Sequence, residues 1–250
     1  MVNIQIIVPE DLSEKSIKEL VGAAAESCEK LQIASVQADV TAAAGLKEPM
    51  ITVMASGESG SLFESEKACA DQDIIMAGYT GGYGAAKLTF ANEAELENHF
   101  NSVFLSPILE ADYTGDAIST VKAVETAAAA GVRTMYACGE GGVYSAVWEL
   151  TENAGLGARI QLKKVPLKQE TVEICDYFNI SPYQLLSVGA VLLTATHGQK
   201  VLAELAAAGI PAVIIGHLTD DNDRVVLNEE EVRFLEPFRY ESLNQAKSES

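Results

Sequence analysis

The sequence predicts an α+β fold in two lobes, and three observations carry that prediction. At 250 residues, with 48% apolar content and a mean hydropathy of +0.12, the chain can bury one large core or two modest ones. Residues 1–90 read as a strand, a helix and three further strands, whereas residues 131–244 alternate strands with helices. Residues 91–130 read as a helical connection between the two, and residues 245–250 as a disordered polar tail.

The first lobe opens on an apolar strand at residues 2–8. A helix over residues 12–31 follows, because Ile17, Leu20, Val21, Ala24, Cys28 and Leu31 recur at helical spacing, with Asp11 or Ser13 as its cap. Strands are expected at residues 33–40, 50–55 and 73–78. In the connection, a polar helix at 92–100 precedes a loop around Pro107 and Gly115, and a second helix at 116–130 turns Ile118, Val121, Val124 and Ala128 to a core. The second lobe starts with a strand at 134–138 and a helix through Trp148 and Leu150. A strand at 158–162, a helix at 169–178, a strand at 188–196 and a helix at 197–208 follow, the last stopped by Gly209. Pro211 leads into a strand at 212–218, and Asp220-Asp221-Asn222-Asp223 reads as a hairpin turn into residues 224–227. As a calcium loop that cluster lacks the glycine and the terminal glutamate at the required interval.

Composition narrows the function. A net charge of -19 and a pI near 4.4 repel a phosphate backbone, and the 17 basic residues form no stripe, so nucleic acid is not an expected partner. No apolar run approaches the ~20 residues of a membrane helix, and Met1 opens directly into a strand, so a cytoplasmic protein without membrane association is expected. Cys28, Cys69, Cys138 and Cys175 are dispersed, as are His99, His197 and His217, which predicts reduced thiols and no transition-metal site.

Two glycine-rich junctions are the candidate binding residues. Glu140, Gly141 and Gly142 join a strand to a helix, where exposed amides and the helix dipole favour a phosphate; the same glycines also serve as a plain tight connection. Gly81, Gly82 and Gly84, within the run from Gly78, precede a helix with Lys87 and carry the same two readings, since the run is not a P-loop. Cys138, beside the second junction, is either a thiol activated by the dipole or a buried strand end.

Several short segments in order carry a resemblance. They are Glu140-Gly141-Gly142-Val143 with Trp148-Glu149-Leu150, the run Gln169 to Cys175, Ile180-Ser181-Pro182, Ser187-Val188-Gly189, Gly209-Ile210-Pro211-Ala212 and Ile214-Ile215-Gly216. This pattern resembles the carboxy-terminal domain of the aminoimidazole ribonucleotide (AIR) synthase superfamily, which includes selenophosphate synthetase, thiamine-monophosphate kinase and the hydrogenase-maturation dehydratase. The spacing is most similar to the hydrogenase-maturation branch. Val8-Pro9, Pro49-Met50 and the run Asp73 to Gly78 fit the latter part of that family's amino-terminal domain.

The resemblance implies a two-domain, dimeric, ATP-using fold in which magnesium neutralises phosphates while an oxygen or selenide is phosphorylated. It also exposes departures. Relatives carry ~80 further residues ahead of the first strand, with the acidic groups that hold magnesium and nucleotide, a difference beyond ordinary loop variation. Gln37-Ala38-Asp39-Val40 stands where relatives read Gly-Gly-His-Thr or Gly-Gly-Glu-Thr, and Ala137-Cys138-Gly139 where they read Asp-Val-Thr or Asp-Ile-Thr. Lys247-Ser248-Glu249-Ser250 lacks the terminal cysteine that carries the carbamoyl group in the hydrogenase-maturation enzyme. The sequence therefore predicts an amino-terminally truncated, catalytically degenerate AIR-synthase-related protein. It would act as a binding or regulatory subunit, as a homodimer or with a complementing chain, on a phosphate-bearing small molecule. The alternative is an ATP-dependent synthetase or hydrogenase-maturation-type enzyme whose magnesium/ATP-binding segment comes from a separate chain. ATP and magnesium enter only through the resemblance.

Overall fold

Alternation along β1 (Val2–Pro9) puts Val2, Ile4, Ile6 and Val8 on one face, where they are buried against α1 (Glu14–Lys30). Ser13 is the cap of α1, its hydroxyl accepting from the Ser16 amide. The helix returns Ile17, Leu20, Val21, Ala24 and Cys28 to that core. β2 (Val36–Ala43) pairs with β1 in parallel and β3 (Met50–Ala55) pairs with it antiparallel, giving the order β2-β1-β3. The register places Val36, Val40, Ile51 and Val53 beside the buried residues of β1, on the α1 side of the sheet, yet all four are exposed.

The computed structural model describes residues 1–57, 67–111, 113 and 115–237, so the expected disordered tail at 245–250 lies outside the described residues. Two units are distinguished, Met1–Ser61 and Leu62–Ser250. The second contains a seven-stranded sheet of β4 (Asp73–Ala77), β5 (Thr134–Ala137), β6 (Gly157–Gln161), β7 (Val191–Ala195), β8 (Ala212–Thr219), β9 (Arg224–Asn228) and β10 (Glu231–Phe234). Its order is β10-β9-β6-β8-β4-β7-β5, antiparallel throughout except where β6 and β9 run parallel.

Both faces of this sheet are covered. On one, Ile74, Met76, Leu192 and Ile215 pack against Val143, Val147 and Leu150 of α6 (Gly142–Ala154). On the other, Ile75, Val191 and Leu193 meet Ala123 and Ala127 of α5 (Val121–Ala129) and Val201 and Leu205 of α8 (Gly198–Ala207). A separate apolar cluster joins α2 (Gly82–Ala91), α4 (Ser102–Leu109) and α7 (Gln169–Tyr177), with Leu96 of the short α3 (Glu93–Leu96) and Leu185 filling it.

The structure departs from the sequence reading at five places. Residues 73–78 were expected in the first lobe, but β4 is an interior strand of the second sheet, between β8 and β7, so the division falls before it rather than near residue 90. Residues 102–109, expected as loop, are α4; Pro107 sits in its last turn on the exposed side and forgoes one helical amide bond, while Leu105 and Ile108 are buried. The helix expected over 92–100 shortens to α3, and the one over 116–130 is a 3-10 turn at Gly115–Ile118 followed by α5. Asp220 to Asp223 is not a hairpin turn: β8 and β9 lie on opposite sides of β6, so the segment crosses the end of β6. Gly157 permits that crossing, because a Cβ there would strike Asp221, Thr219 and the Asp223 carbonyl. The hairpin is instead between β9 and the unanticipated β10, turning at Glu229, which takes a positive φ of 57°.

Candidate functional site

β4 and β5 flank β7, and each runs antiparallel to it, so their carboxy-terminal ends share one rim with the entry to β7. Both glycine junctions therefore meet there. Gly81, with φ 73°, precedes α2, and Gly141, with φ 74°, precedes α6; left-handed backbone at each cap explains the residue type. Between the two junctions runs the segment from Pro182 to Ala190 that feeds β7.

Ser187 ties this arrangement together. It is fully buried, and its hydroxyl accepts from the Gly81 amide at 2.7 Å while donating to the Leu185 carbonyl at 2.7 Å. Its single proton being so used, the 2.9 Å contact with Thr80 Oγ1 has Thr80 as donor. The Ser187 amide donates to the Gly139 carbonyl at 3.1 Å, which links the first junction to the second. Sequence reasoning assigned Ser187 no site role; the Ser-Val-Gly step ahead of a strand was the available signal.

The glycines are occupied by protein. A Cβ on Gly142 would run into the Tyr183 carbonyl oxygen and come within 2.7 Å of that of Leu185. One on Gly81 would lie 2.9 Å from the Pro182 carbonyl oxygen, and one on Gly84 2.5 Å from Leu185 Cγ. Backbone amides expected to face an anion are also engaged: Gly84 donates to Leu186, Gly142 to Gly139 and Tyr144 to Tyr183. Gly82 differs, since its Cβ position is open and it borders a cavity of about 20 Å³ shared with Lys168 and Thr171, room for about one water. Glu140 is exposed, and Lys168 lies over the ring of exposed Tyr79, 5.3 Å from its centroid.

The thiol at this rim is not activated. Cys138 is 5% exposed, and burial pushes its pKa up to about 12, opposite to the lowering that the α6 dipole would give. Desolvation wins because the side chain lies in the core with Val143 and Ala146. The adjacent phenol of Tyr136 is likewise raised, first by burial and then by the charges of Glu149 and Cys138.

Magnesium and a nucleotide, implied by the resemblance, do not fit these residues. A Cβ cradle filled by carbonyls leaves no approach for phosphate at Gly142, and Ala137, Cys138 and Gly139 offer no carboxylate. Among the described residues there is no group of three or more His, Cys, Asp or Glu placed to hold a metal ion. Gln37 to Val40, where relatives have paired glycines, lie along exposed β2 of the first unit.

The arrangement of sheet, flanking helices and glycine junctions has counterparts. Residues 80–228 match the family described as AIR synthase related protein, C-terminal domain. The chain belongs to that family. Within it, the chain is 22% identical over 234 residues to a protein of Methanocaldococcus jannaschii named for hydrogenase expression/formation, a match covering 90% of this chain and 66% of that one. It is 25% identical over 169 residues to the carbamoyl dehydratase HypE of Rhizobium leguminosarum bv. viciae, covering 65% of this chain and 45% of that one. The chain thus spans two thirds or less of the curated relatives it matches. Escherichia coli HypE shares the fold with a TM-score of 0.77 at 18% identity, over 98% of this chain and 75% of that one. The mixed α+β architecture expected of an AIR-synthase-related chain is therefore the one observed. No helix among the described residues is long and apolar enough to cross a membrane.

Proposed function

We propose that this AIR-synthase-related chain belongs to the hydrogenase-maturation branch and works as a binding or regulatory subunit, not as a phosphoryl-transfer enzyme on its own. The observation that carries the reading is the packing of Gly142: the backbone of the Tyr183 to Leu185 segment stands where a phosphate would have to approach. The rim keeps the family's turns and has put them to use as joints between α2, α6 and β7. Replacing a charge-stabilising carboxylate and hydroxyl by Ala137 and Gly139 adds to this, since one such group is worth about 3 kcal/mol to a transition state.

Calorimetry of the pure chain with ATP and magnesium, against AMP and sulfate, tests the reading. No magnesium-dependent heat and no ATP turnover are expected. Magnesium-dependent ATP hydrolysis by the chain alone would overturn it.

A partner chain, or a second copy of this one, is part of the proposal. Val36, Val40, Ile51 and Val53 leave an apolar surface beside α1 that the helix does not cover, and among the described residues β2 and β3 are both open sheet edges. An added strand or helix would cover both. The same surface accommodates the alternative, a complementing chain that restores a magnesium and nucleotide site, which turnover in a reconstituted complex would favour.

A further inference from the structure

The starts of β4 and β5 and the end of β7 form the rim opposite the glycine junctions, and a cavity of about 410 Å³ lies there. That volume is within the range of small-molecule sites. Its lining runs against the chain's overall charge: Lys67, Arg133, Lys200 and His197 line it, and no Asp or Glu among the described residues does, although the chain holds 36 of them.

The fold holds one of these cations and places another at a helix start. Arg133 leads into β5, and its Nη1 donates to the carbonyls of Ala128 at 3.1 Å and Val132 at 3.0 Å, which holds the guanidinium at the end of α5. Lys200 stands in the first turn of α8, just after His197. The first amide of α8 is already engaged, because Asp73 Oδ2 accepts from the Gly198 N–H at 3.1 Å.

A second observation is independent of charge. Thr194 lines the cavity from β7 and is 2% exposed, yet its Oγ1 has no hydrogen-bond partner among the described residues. Buried hydroxyls in folded proteins are almost always paired, so one without a protein partner beside a cavity is available to a group bound there. An acceptor oxygen would complete it.

We propose that this cavity binds a small molecule through a phosphate group, with Lys67, Arg133 and Lys200 balancing the charge and Thr194 Oγ1 donating to a phosphate oxygen. A dianionic phosphate meets three cations and a hydroxyl better than a single carboxylate does, having more charge and more acceptor oxygens. The site is separate from the glycine rim and stands whether or not that rim binds anything.

Calorimetry and thermal unfolding of the full chain at constant ionic strength decide it, with inorganic phosphate, pyrophosphate and AMP as probes and sulfate and citrate as controls. Saturable stabilisation by at least one phosphate probe above both controls is expected. Preference for AMP would assign the site to phosphate esters, and preference for pyrophosphate to inorganic anions. Lys67→Glu with Lys200→Glu, both exposed, should weaken that binding about tenfold or more. Thr194→Val should weaken it without lowering the ligand-free unfolding midpoint, and Thr194→Ser should retain it. Equal responses to phosphate probes and controls, no binding, or unchanged affinity in the double variant would each overturn the proposal. Any heat from ATP that vanishes in the double variant belongs to this cavity; heat that survives there counts instead against the glycine-rim reading.

Discussion

Ser187 shows how one side chain can decide what a glycine motif is for. Its hydroxyl receives two donors and gives its proton to Leu185, all in a position closed to water. Ser187→Ala would leave the Gly81 amide and the Thr80 hydroxyl buried without their acceptor. At about 1–3 kcal/mol for each orphaned group, a loss of about 2–6 kcal/mol is expected in urea unfolding. A loss under about 0.5 kcal/mol, the size of an ordinary surface change, would show that water replaces the serine and that the junctions do not depend on it. The glycines themselves were legible as turns from the sequence. What they approach was not, because the Tyr183 and Leu185 carbonyls come from a segment some forty residues away in the chain, and a backbone neighbour leaves the same glycine requirement as a bound phosphate would. Cys138 was ambiguous for a similar reason: proximity to a helix start is visible in sequence, whereas desolvation depends on the packing of α6 onto the sheet.

At the scale of elements, periodicity located the helices and strands well wherever one apolar face is in question, as in α1 with Ile17, Leu20 and Ala24. Misplacements arose where partners are distant. The run Ile74-Ile75-Met76-Ala77 is apolar at every position, which suits a strand buried on both faces and not one in a sheet covered by α1 alone. Pro107 concealed α4 because the ring falls in the last turn, where sequence rules place a stop. β10 is exposed along its length and carries no alternation of burial to find. The same logic marks β2 and β3, which are exposed yet hold apolar residues in register with buried ones on β1. Such residues are expected to meet another chain. Ile51→Lys with Val53→Lys should shift sedimentation of the full chain toward the monomer while leaving its circular dichroism intact, since neither side chain contributes to the core beneath α1. If the parent chain already sediments as a monomer at all concentrations, self-association is excluded and only a different partner could occupy that face.

For the whole molecule, the net charge of -19 places acidic repulsion over the surface, but the largest shifts that burial imposes lie on the alkaline side. Cys138 and Cys175, ordinarily near 9.0, and Tyr144, ordinarily near 10.0, are all raised to about 12, in each case chiefly by burial. Their neutral forms are the ones the fold accepts. Below pH 9 native and unfolded chains hold these protons alike, so the stability they allow is fully present. Above it the unfolded chain releases protons that the native chain keeps, and stability falls until the native groups also titrate near pH 12. A buried thiol contributes a decline of about 1.4 kcal/mol per pH unit once its unfolded form has ionised, so about 3 kcal/mol is at stake from Cys138 alone by pH 11. All three residues belong to the unit Leu62–Ser250, and the decline should therefore appear in the transition that reports the seven-stranded sheet. Urea unfolding at pH 8, 10 and 11, at one high salt concentration to mute the surface charge, would measure it. Cys138→Val, which keeps an apolar side chain at that position and removes the proton, should flatten the profile. A parent chain equally stable at all three pH values would mean that these side chains reach water in the folded protein, and that the core beside α6 is looser than its packing shows.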